Sequence, residues 1–133
     1  MKIVIVGPGA MGCLFAYYLS KRKEEIWILD KSKERAARIN QTGIIVKGVS
    51  GDWQGRARVS ADVKEIGLAD LIIICVKSYD TKDAIAQALG LAGDKTNVLT
   101  LQNGIGNIEI IAEVVGNDRV IGGVTNEGAT LLD

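Results

Sequence analysis

Apolar and polar residues follow two patterns, and segments with one pattern alternate with segments with the other along the chain. Short, almost wholly apolar runs rich in Ile and Val are typical of strands that are buried on both faces of a parallel sheet. Five such runs predict strands, over Lys2–Val6, Glu25–Asp30, Ala69–Val76, Asn97–Leu101 and Val120–Val124. In the intervening segments, apolar residues recur every three or four positions, which is typical of amphipathic helices.

Helices are predicted over Ala10–Lys21, Lys33–Asn40, Thr81–Leu89 and Ile108–Val115. Ser32 is placed to cap the second helix and Gly43 to end it. Residues 44–59 differ, because glycines interrupt them, and they predict an antiparallel hairpin with its turn at residues 50–52, inserted at the edge of the sheet. Strands alternating with helices predict an α/β, Rossmann-type fold with a doubly wound, mostly parallel sheet.

The composition narrows the class of protein. With 133 residues, 47% of them apolar, the chain suffices for one domain over residues 1–133. Its formal net charge is zero, which argues against a nucleic-acid partner. No apolar run reaches the ~18–20 residues that span a bilayer, so no membrane segment and a cytoplasmic location are predicted. The chain lacks His, and Cys13 and Cys75 are isolated, so reduced thiols and no bound metal are predicted.

The segment between the first predicted strand and the first predicted helix carries three glycines. Gly7-Pro8-Gly9-Ala10-Met11-Gly12 has the spacing G-x-G-x-x-G at the place where that spacing binds a pyrophosphate. Gly7 would allow a tight turn, Gly9 would leave room for phosphates, and Gly12 would let the helix pack close to the strand. The helix N-terminus would add free N–H groups and a partial positive charge. Residues 7–12 therefore predict a dinucleotide site.

The end of the second predicted strand bears on which dinucleotide binds. Asp30 follows the glycine loop by about 20 residues, where an acidic residue normally accepts hydrogen bonds from the ribose hydroxyls of NAD. Lys31 and Ser32 come next, and a cation with a hydroxyl could hold the 2′-phosphate of NADP if Asp30 turns aside. From these residues alone, NAD and NADP both stay open.

Polar side chains follow two later strands at their carboxyl ends, where ligands bind in open α/β sheets. Lys77 comes directly after the run Ala69–Val76, and Gln102 and Asn103 follow the next predicted strand. We expect both loops to face the nicotinamide half of the cofactor. A plain alternative stays open for each loop: a solvated lysine, and an Asn-Gly turn that binds nothing.

Four segments stand out along the chain: "GPGAMG", "ADLIIICVKSYDT", "LQNGIG" and "GGVTNEGATLL". Together they resemble the ketopantoate reductase family of NADPH-dependent enzymes, because their order and separations match over nearly the whole chain. The resemblance implies hydride transfer from the nicotinamide to the ketone carbon of ketopantoate, giving pantoate in pantothenate biosynthesis.

The resemblance also implies roles for individual residues. Lys31 would hold a 2′-phosphate, which favours NADP(H), with NAD(H) as the alternative. Lys77 would lie by the nicotinamide ribose and Asn103 would contact both cofactor and substrate, each as a supporting catalytic residue. Further contacts with the cofactor would come from Val76, Gln102, Gly128 and Ala129.

The resemblance also implies that the cofactor-binding residues and the general acid belong to different domains. Family members are longer and have a helical second domain that carries the general acid and the substrate-binding asparagines. Residues 1–133 are therefore expected to be a cofactor-binding fragment that is inactive alone, from an enzyme that takes ketopantoate; a homo-oligomer stays open. Two other functions also stay open: a ligand-sensing Rossmann regulatory module, and the cofactor domain of another hydroxyacid reductase.

Overall fold

The computed structural model describes residues 1–48, 52–102 and 106–123. The strands in these ranges are β1 (Lys2–Val6), β2 (Glu25–Leu29), β3 (Ile44–Val46), β4 (Trp53–Gly55), β5 (Arg58–Ser60), β6 (Ala69–Ile74), β7 (Ala92–Thr100) and β8 (Val120–Gly122). The α-helices are α1 (Ala10–Ser20), α2 (Lys33–Thr42), α3 (Val63–Ile66), α4 (Thr81–Ala88) and α5 (Asn107–Val115). No helix of the described ranges is long and apolar enough to cross a membrane.

Within the described residues, six strands form one sheet in the order β5-β2-β1-β6-β7-β8, and every neighbouring pair is parallel. Val4 of β1 lies opposite Trp27 of β2 on one side and Ile72 of β6 on the other. The chain builds outward from β1 toward β5 and then from β6 toward β8, so the winding direction changes between β1 and β6. This arrangement confirms the predicted doubly wound, parallel sheet.

The two faces of the sheet pack against different helices. Val4 and Ile72 point into one core, which includes Ile85 of α4 and residues of α5. Ile5 and Ile73 point into the other core, which is completed by residues of α1, α2 and the β3–β4 hairpin. Because successive strand residues are buried on opposite faces, the strand runs show little alternation of apolar and polar residues.

The segment predicted as a single hairpin over residues 44–59 is divided between two sheets. The antiparallel pairing of β3 with β4 is confirmed, with Ile45 opposite Gln54. The prediction is wrong for its last residues, because Arg58–Ser60 leave the hairpin and join the main sheet in parallel beside β2. Val59 is thereby 2% exposed, so long-range burial decides its pairing. Residues 50–51 of the predicted turn lie outside the described residues.

The outer edge of β5 is closed by a side chain from α2. The Asn40 Nδ2 donates to the Val59 carbonyl at 2.6 Å, and the Asn40 Oδ1 accepts from the Val59 N–H at 2.9 Å. The carboxamide thus satisfies both main-chain groups of Val59 as a neighbouring strand would.

The ends of the elements follow local capping chemistry. The predicted cap of α2 is confirmed, since the Ser32 Oγ accepts from the Arg35 N–H at 3.1 Å, and Gly43 ends that helix with φ +81°. The short helix α3 was not predicted from the sequence; the Asp62 side chain caps it by accepting from the Lys64 N–H. The strand predicted from Asn97 begins earlier, at Ala92, which pairs with Ala69 before an irregularity in the register. The residues between Ala92 and Asn97 are largely polar and form no apolar run.

Candidate functional site

A cleft of ≈ 1270 Å³ opens at the carboxyl ends of the parallel strands, where the direction of winding changes. Such a position is where open α/β sheets bind their ligands. The predicted site residues that line it are Gly7, Pro8, Gly9, Ala10, Met11, Asp30, Lys31, Val76, Lys77 and Gln102. Gly12 and Ser32 support the wall of the cleft without lining it. Asn103, Gly128 and Ala129 lie outside the described residues, so their predicted roles stay predictions.

Each glycine of the loop has its own steric reason to lack a side chain. Gly7 turns the chain out of β1 with φ +106°, a conformation that L side chains rarely adopt. A Cβ on Gly12 would lie 2.0 Å from the carbonyl oxygen of Gly7, so only glycine lets α1 approach the loop this closely. A Cβ on Gly9 would meet nothing within 4 Å. Since Gly9 lines the cleft, its missing side chain keeps space free for a ligand rather than for the protein.

The N-terminus of α1 adds hydrogen-bond donors to this space. Its first intrahelical bond runs from the Cys13 N–H to the Gly9 carbonyl at 2.9 Å, so the N–H groups before Cys13 have no acceptor within the helix. Gly9 supplies no side-chain cap, and the first turn has no acidic residue. The end of the helix therefore presents free donors and a partial positive charge, which suits an anion.

Asp30 is fully buried and is paired with Arg35 of α2. The Arg35 Nε donates to the Asp30 Oδ2 at 2.7 Å, and a terminal nitrogen donates to the Oδ1 at 2.5 Å. The Ser32 N–H also donates to the Oδ1, at 3.0 Å. These bonds to Asp30 raise the pKa of the Arg35 guanidinium above its ordinary value. Both oxygens of the carboxylate are thus already engaged, and its charge is balanced.

Basic side chains gather at the same end of the cleft. Lys31, Arg35 and Arg38 all line it, and Arg35 remains 40% exposed despite its pairing. Sequence reasoning found Lys31 and missed the two arginines. The only signal was their position, in the first and second turns of the helix that follows Asp30. Asp80 and Asp83 line the cleft as well, on the side of α4.

The loop after β6 brings Lys77 to the cleft, where its side chain is exposed. The Asp80 N–H donates to the Lys77 carbonyl at 2.8 Å and closes the turn that follows. Gln102, which comes just after β7, donates from its Nε2 to the Val76 carbonyl at 2.7 Å. This bond connects the ends of β6 and β7 at one cleft, and the orientation of the two loops toward the nicotinamide half of a cofactor stays a prediction.

Both cysteines border the cleft as free, half-buried thiols. The Cys13 thiol donates to the Pro8 carbonyl at 3.4 Å. Burial raises the pKa of Cys13, and burial together with the nearby Cys13 raises the pKa of Cys75 to about 12. Because the thiolate is the nucleophilic form, neither thiol is poised for nucleophilic chemistry at neutral pH, and neither places a negative charge near the glycine loop.

Comparison with known proteins agrees with this geometry. Residues 3–133 match the family model for ketopantoate reductase, PanE/ApbA. The chain is 39% identical over 130 residues to the 2-dehydropantoate 2-reductase of Halobacterium salinarum. The aligned region covers 97% of this chain and 43% of that protein. The chain therefore spans about two-fifths of the length of such a curated relative.

Solved structures are similar over the same region. The crystal structure of 2-dehydropantoate 2-reductase from Geobacter metallireducens has a TM-score of 0.84 and 32% identity, covering 93% of this chain and 41% of that one. A structure of D-mandelate dehydrogenase with NADH and anilino(oxo)acetate has a TM-score of 0.85 and 28% identity, covering 93% of this chain and 40% of that one. The resemblance found in the four sequence segments is thereby confirmed. The chain belongs to the ketopantoate reductase family.

Proposed function

We propose that these residues form the NADP(H)-binding part of a 2-dehydropantoate 2-reductase, an oxidoreductase that converts ketopantoate to pantoate. The observation that carries the proposal is the open space at Gly9, next to the uncapped N-terminus of α1 in the main cleft. NADPH, when bound, would supply the hydride. The residues of this chain would bind the cofactor and orient its nicotinamide end toward the substrate.

The pyrophosphate fits the glycine loop on steric and electrostatic grounds. Space left by Gly9 allows a phosphate to approach the main chain closely, and the first N–H groups of α1 can donate to it. Gly12 contributes indirectly, because its lack of a Cβ allows the helix to sit against the Gly7 carbonyl. Residues 7–12 would therefore hold the diphosphate mainly with backbone donors.

The pairing of Asp30 with Arg35 supports NADP(H) over NAD(H). A free carboxylate at this position would accept from ribose hydroxyls and repel a 2′-phosphate. Here the carboxylate is buried and both its oxygens accept from Arg35. Lys31 and Arg38 add two further cations to the cleft wall. Three basic side chains around a neutralised aspartate suit a phosphate, which binds through charge-assisted hydrogen bonds.

Lys77 is suited to the nicotinamide end of the cofactor. It follows β6, the strand next to β1, and its exposed side chain lines the cleft. A lysine in this place would donate to ribose hydroxyls and add positive potential where negative charge develops on the substrate oxygen. We assign it a supporting catalytic role rather than that of the general acid. Asn103 keeps its predicted supporting role in the same proposal.

Calorimetric titration should show tighter binding of NADPH than of NADH. Lys31→Ala should weaken NADPH binding by about 1–3 kcal/mol, because it removes a charge-assisted bond to the 2′-phosphate, and should leave NADH binding nearly unchanged. Lys95→Ala is the matched control, since it removes the same charge from an exposed position of β7 away from the cleft. Equal losses for both cofactors would remove Lys31 from the phosphate site, and tighter binding of NADH would reverse the cofactor assignment.

The 133-residue polypeptide should bind NADPH yet show negligible turnover of ketopantoate. The resemblance places the family's general acid in the part of the relatives that these residues do not span. The assay follows the loss of NADPH absorbance after ketopantoate is added, with a full-length relative as the positive control. Steady turnover by the 133 residues would mean that they contain the complete catalytic machinery and would contradict their assignment as the cofactor-binding part.

A further inference from the structure

Gln102 lines the cleft, yet its carboxamide is bonded to the protein on all sides. The Nε2 donates to the Val76 carbonyl at 2.7 Å and to the Thr81 Oγ1 at 2.9 Å. The Oε1 accepts from the Thr100 Oγ1 at 3.0 Å. A side chain whose two N–H donors are both used internally has little capacity left to donate to a ligand.

The direction of these hydrogen bonds is fixed by chemistry. A carbonyl can only accept, so the atom of Gln102 that faces the Val76 carbonyl must be the nitrogen. Its second N–H bonds the Thr81 hydroxyl, which in turn donates to the Asn107 Oδ1 at 3.0 Å. Thr81 and Asn107 are 0% and 3% exposed, so this chain of bonds is sheltered from water. Gln102 is therefore held in one orientation by α4, α5 and the end of β7.

This arrangement fixes the main chain on both sides of Lys77. The Val76 carbonyl belongs to the peptide unit that precedes Lys77, and Gln102 holds it. The Lys77 carbonyl belongs to the next peptide unit, and the Asp80 N–H holds that one. The Val76 side chain also packs against the backbone of Gly7, where a Cβ would be 3.0 Å from the Val76 Cγ1. The point at which Lys77 enters the cleft is thus set relative to the glycine loop.

We infer that Gln102 is a positioning residue for Lys77: by holding the Val76 carbonyl, it sets where the ammonium group stands at the nicotinamide end of a bound dinucleotide. The inference rests on the proposed function, because it requires NADPH to bind in this cleft. It differs from the expectation that Gln102 contacts the cofactor itself.

The test compares two ligands that share the adenosine end. NADPH extends to the nicotinamide ribose, whereas 2′,5′-ADP carries only the adenosine with its 2′-phosphate and its 5′-phosphate. In calorimetric titrations, Gln102→Met should weaken NADPH binding about tenfold and change 2′,5′-ADP binding by less than about twofold. Lys77→Ala should show the same pattern, because both substitutions remove the same contact.

A double variant separates positioning from direct contact. If Gln102 acts through Lys77, then Gln102→Met combined with Lys77→Ala should bind NADPH no more weakly than Lys77→Ala alone. If Gln102 touches the cofactor itself, or only supports the fold, the two losses should add. Additive losses would overturn the inference.

Gln87→Met is the matched control within the cleft. The Gln87 Nε2 donates to the Asp30 carbonyl at 3.2 Å, at the adenosine end, so this substitution should change the affinity for NADPH and 2′,5′-ADP by the same factor. Thermal unfolding shows whether each variant is folded. If Gln102→Met does not fold, Gln102→Glu keeps the side-chain length, places a carboxylate against the Val76 carbonyl and should give the same ligand pattern.

The outcomes distinguish this inference from the function on which it rests. A Gln102 variant that loses both ligands equally would overturn the positioning role alone. A wild-type polypeptide that binds neither NADPH nor 2′,5′-ADP would overturn the proposed function itself, and the positioning role with it.

Discussion

Gly9→Ala should sharply reduce NADPH binding while leaving the protein folded. The added methyl group meets no protein atom within 4 Å, so it costs nothing in packing. The poorer N-cap and the reduced freedom of the unfolded chain act in opposite directions, so the free energy of unfolding should change by less than about 1 kcal/mol. The same methyl group occupies the space assigned to the pyrophosphate, and we expect a loss of about 10–100-fold in affinity.

Gly12→Ala should weaken NADPH binding and also lower the free energy of unfolding, whereas Gly9→Ala should weaken NADPH binding alone. Its Cβ would lie 2.0 Å from the Gly7 carbonyl oxygen, and neither backbone segment can move without displacing α1 from β1. Overpacking of this kind typically costs about 1–3 kcal/mol, and here it would also distort the loop that holds the diphosphate.

Thermal unfolding and NADPH titration on both variants test these expectations together. Gly48→Ala is the matched control, because a Cβ at Gly48 also meets nothing within 4 Å and this residue does not line the cleft. It should change neither measurement appreciably. Unimpaired NADPH binding by Gly9→Ala would remove the pyrophosphate from this loop and with it the main support for the proposed function.

Arg35→Ala should lower the free energy of unfolding by about 2–3 kcal/mol, because it leaves the buried carboxylate of Asp30 without its main partner. It should also weaken NADPH binding, since a cation is lost from the cleft wall. Arg38→Ala is the matched control for stability. Arg38 lines the same cleft and forms no ion pair within the described part of the chain. Arg38→Ala should therefore change the free energy of unfolding by less than about 0.5 kcal/mol.

A double variant tests the cause of the predicted destabilisation. Asp30→Asn combined with Arg35→Met removes both charges, so it should recover part of the stability that Arg35→Ala loses. Urea unfolding of the three variants supplies the comparison. If Arg35→Ala proves no more costly than Arg38→Ala, the buried pair does not stabilise the fold in the way the geometry indicates.

Sequence reasoning predicted the fold where the signal is local. The bounds of β1 came from an unbroken run of β-branched residues, and the cap of α2 from Ser32. It failed at Arg58–Ser60, because a three-residue strand carries no periodicity and only its contact with β2 determines where it pairs. The short helix α3 was missed for the same reason, since one turn of helix has no amphipathic pattern.

In the candidate site, too, sequence reasoning predicted the local features and missed those that depend on contacts between elements. The glycine spacing and Asp30 were visible in the sequence, and the structure places them on one cleft. The partner of Asp30 was not visible, because the meeting of Arg35 with that carboxylate depends on how α2 begins after Ser32. The bonds made by Gln102 depend on the register between β6 and β7, which no short segment encodes.

The carboxamide of Asn40 has a consequence for solubility. Unpaired N–H and C=O groups at the edge of a sheet can pair with a strand of another molecule and start aggregation. At Val59 a recruiting chain would find both the donor and the acceptor already taken by a side chain of the same molecule. Asn40 thus blocks the addition of a strand from another molecule at this edge of the sheet.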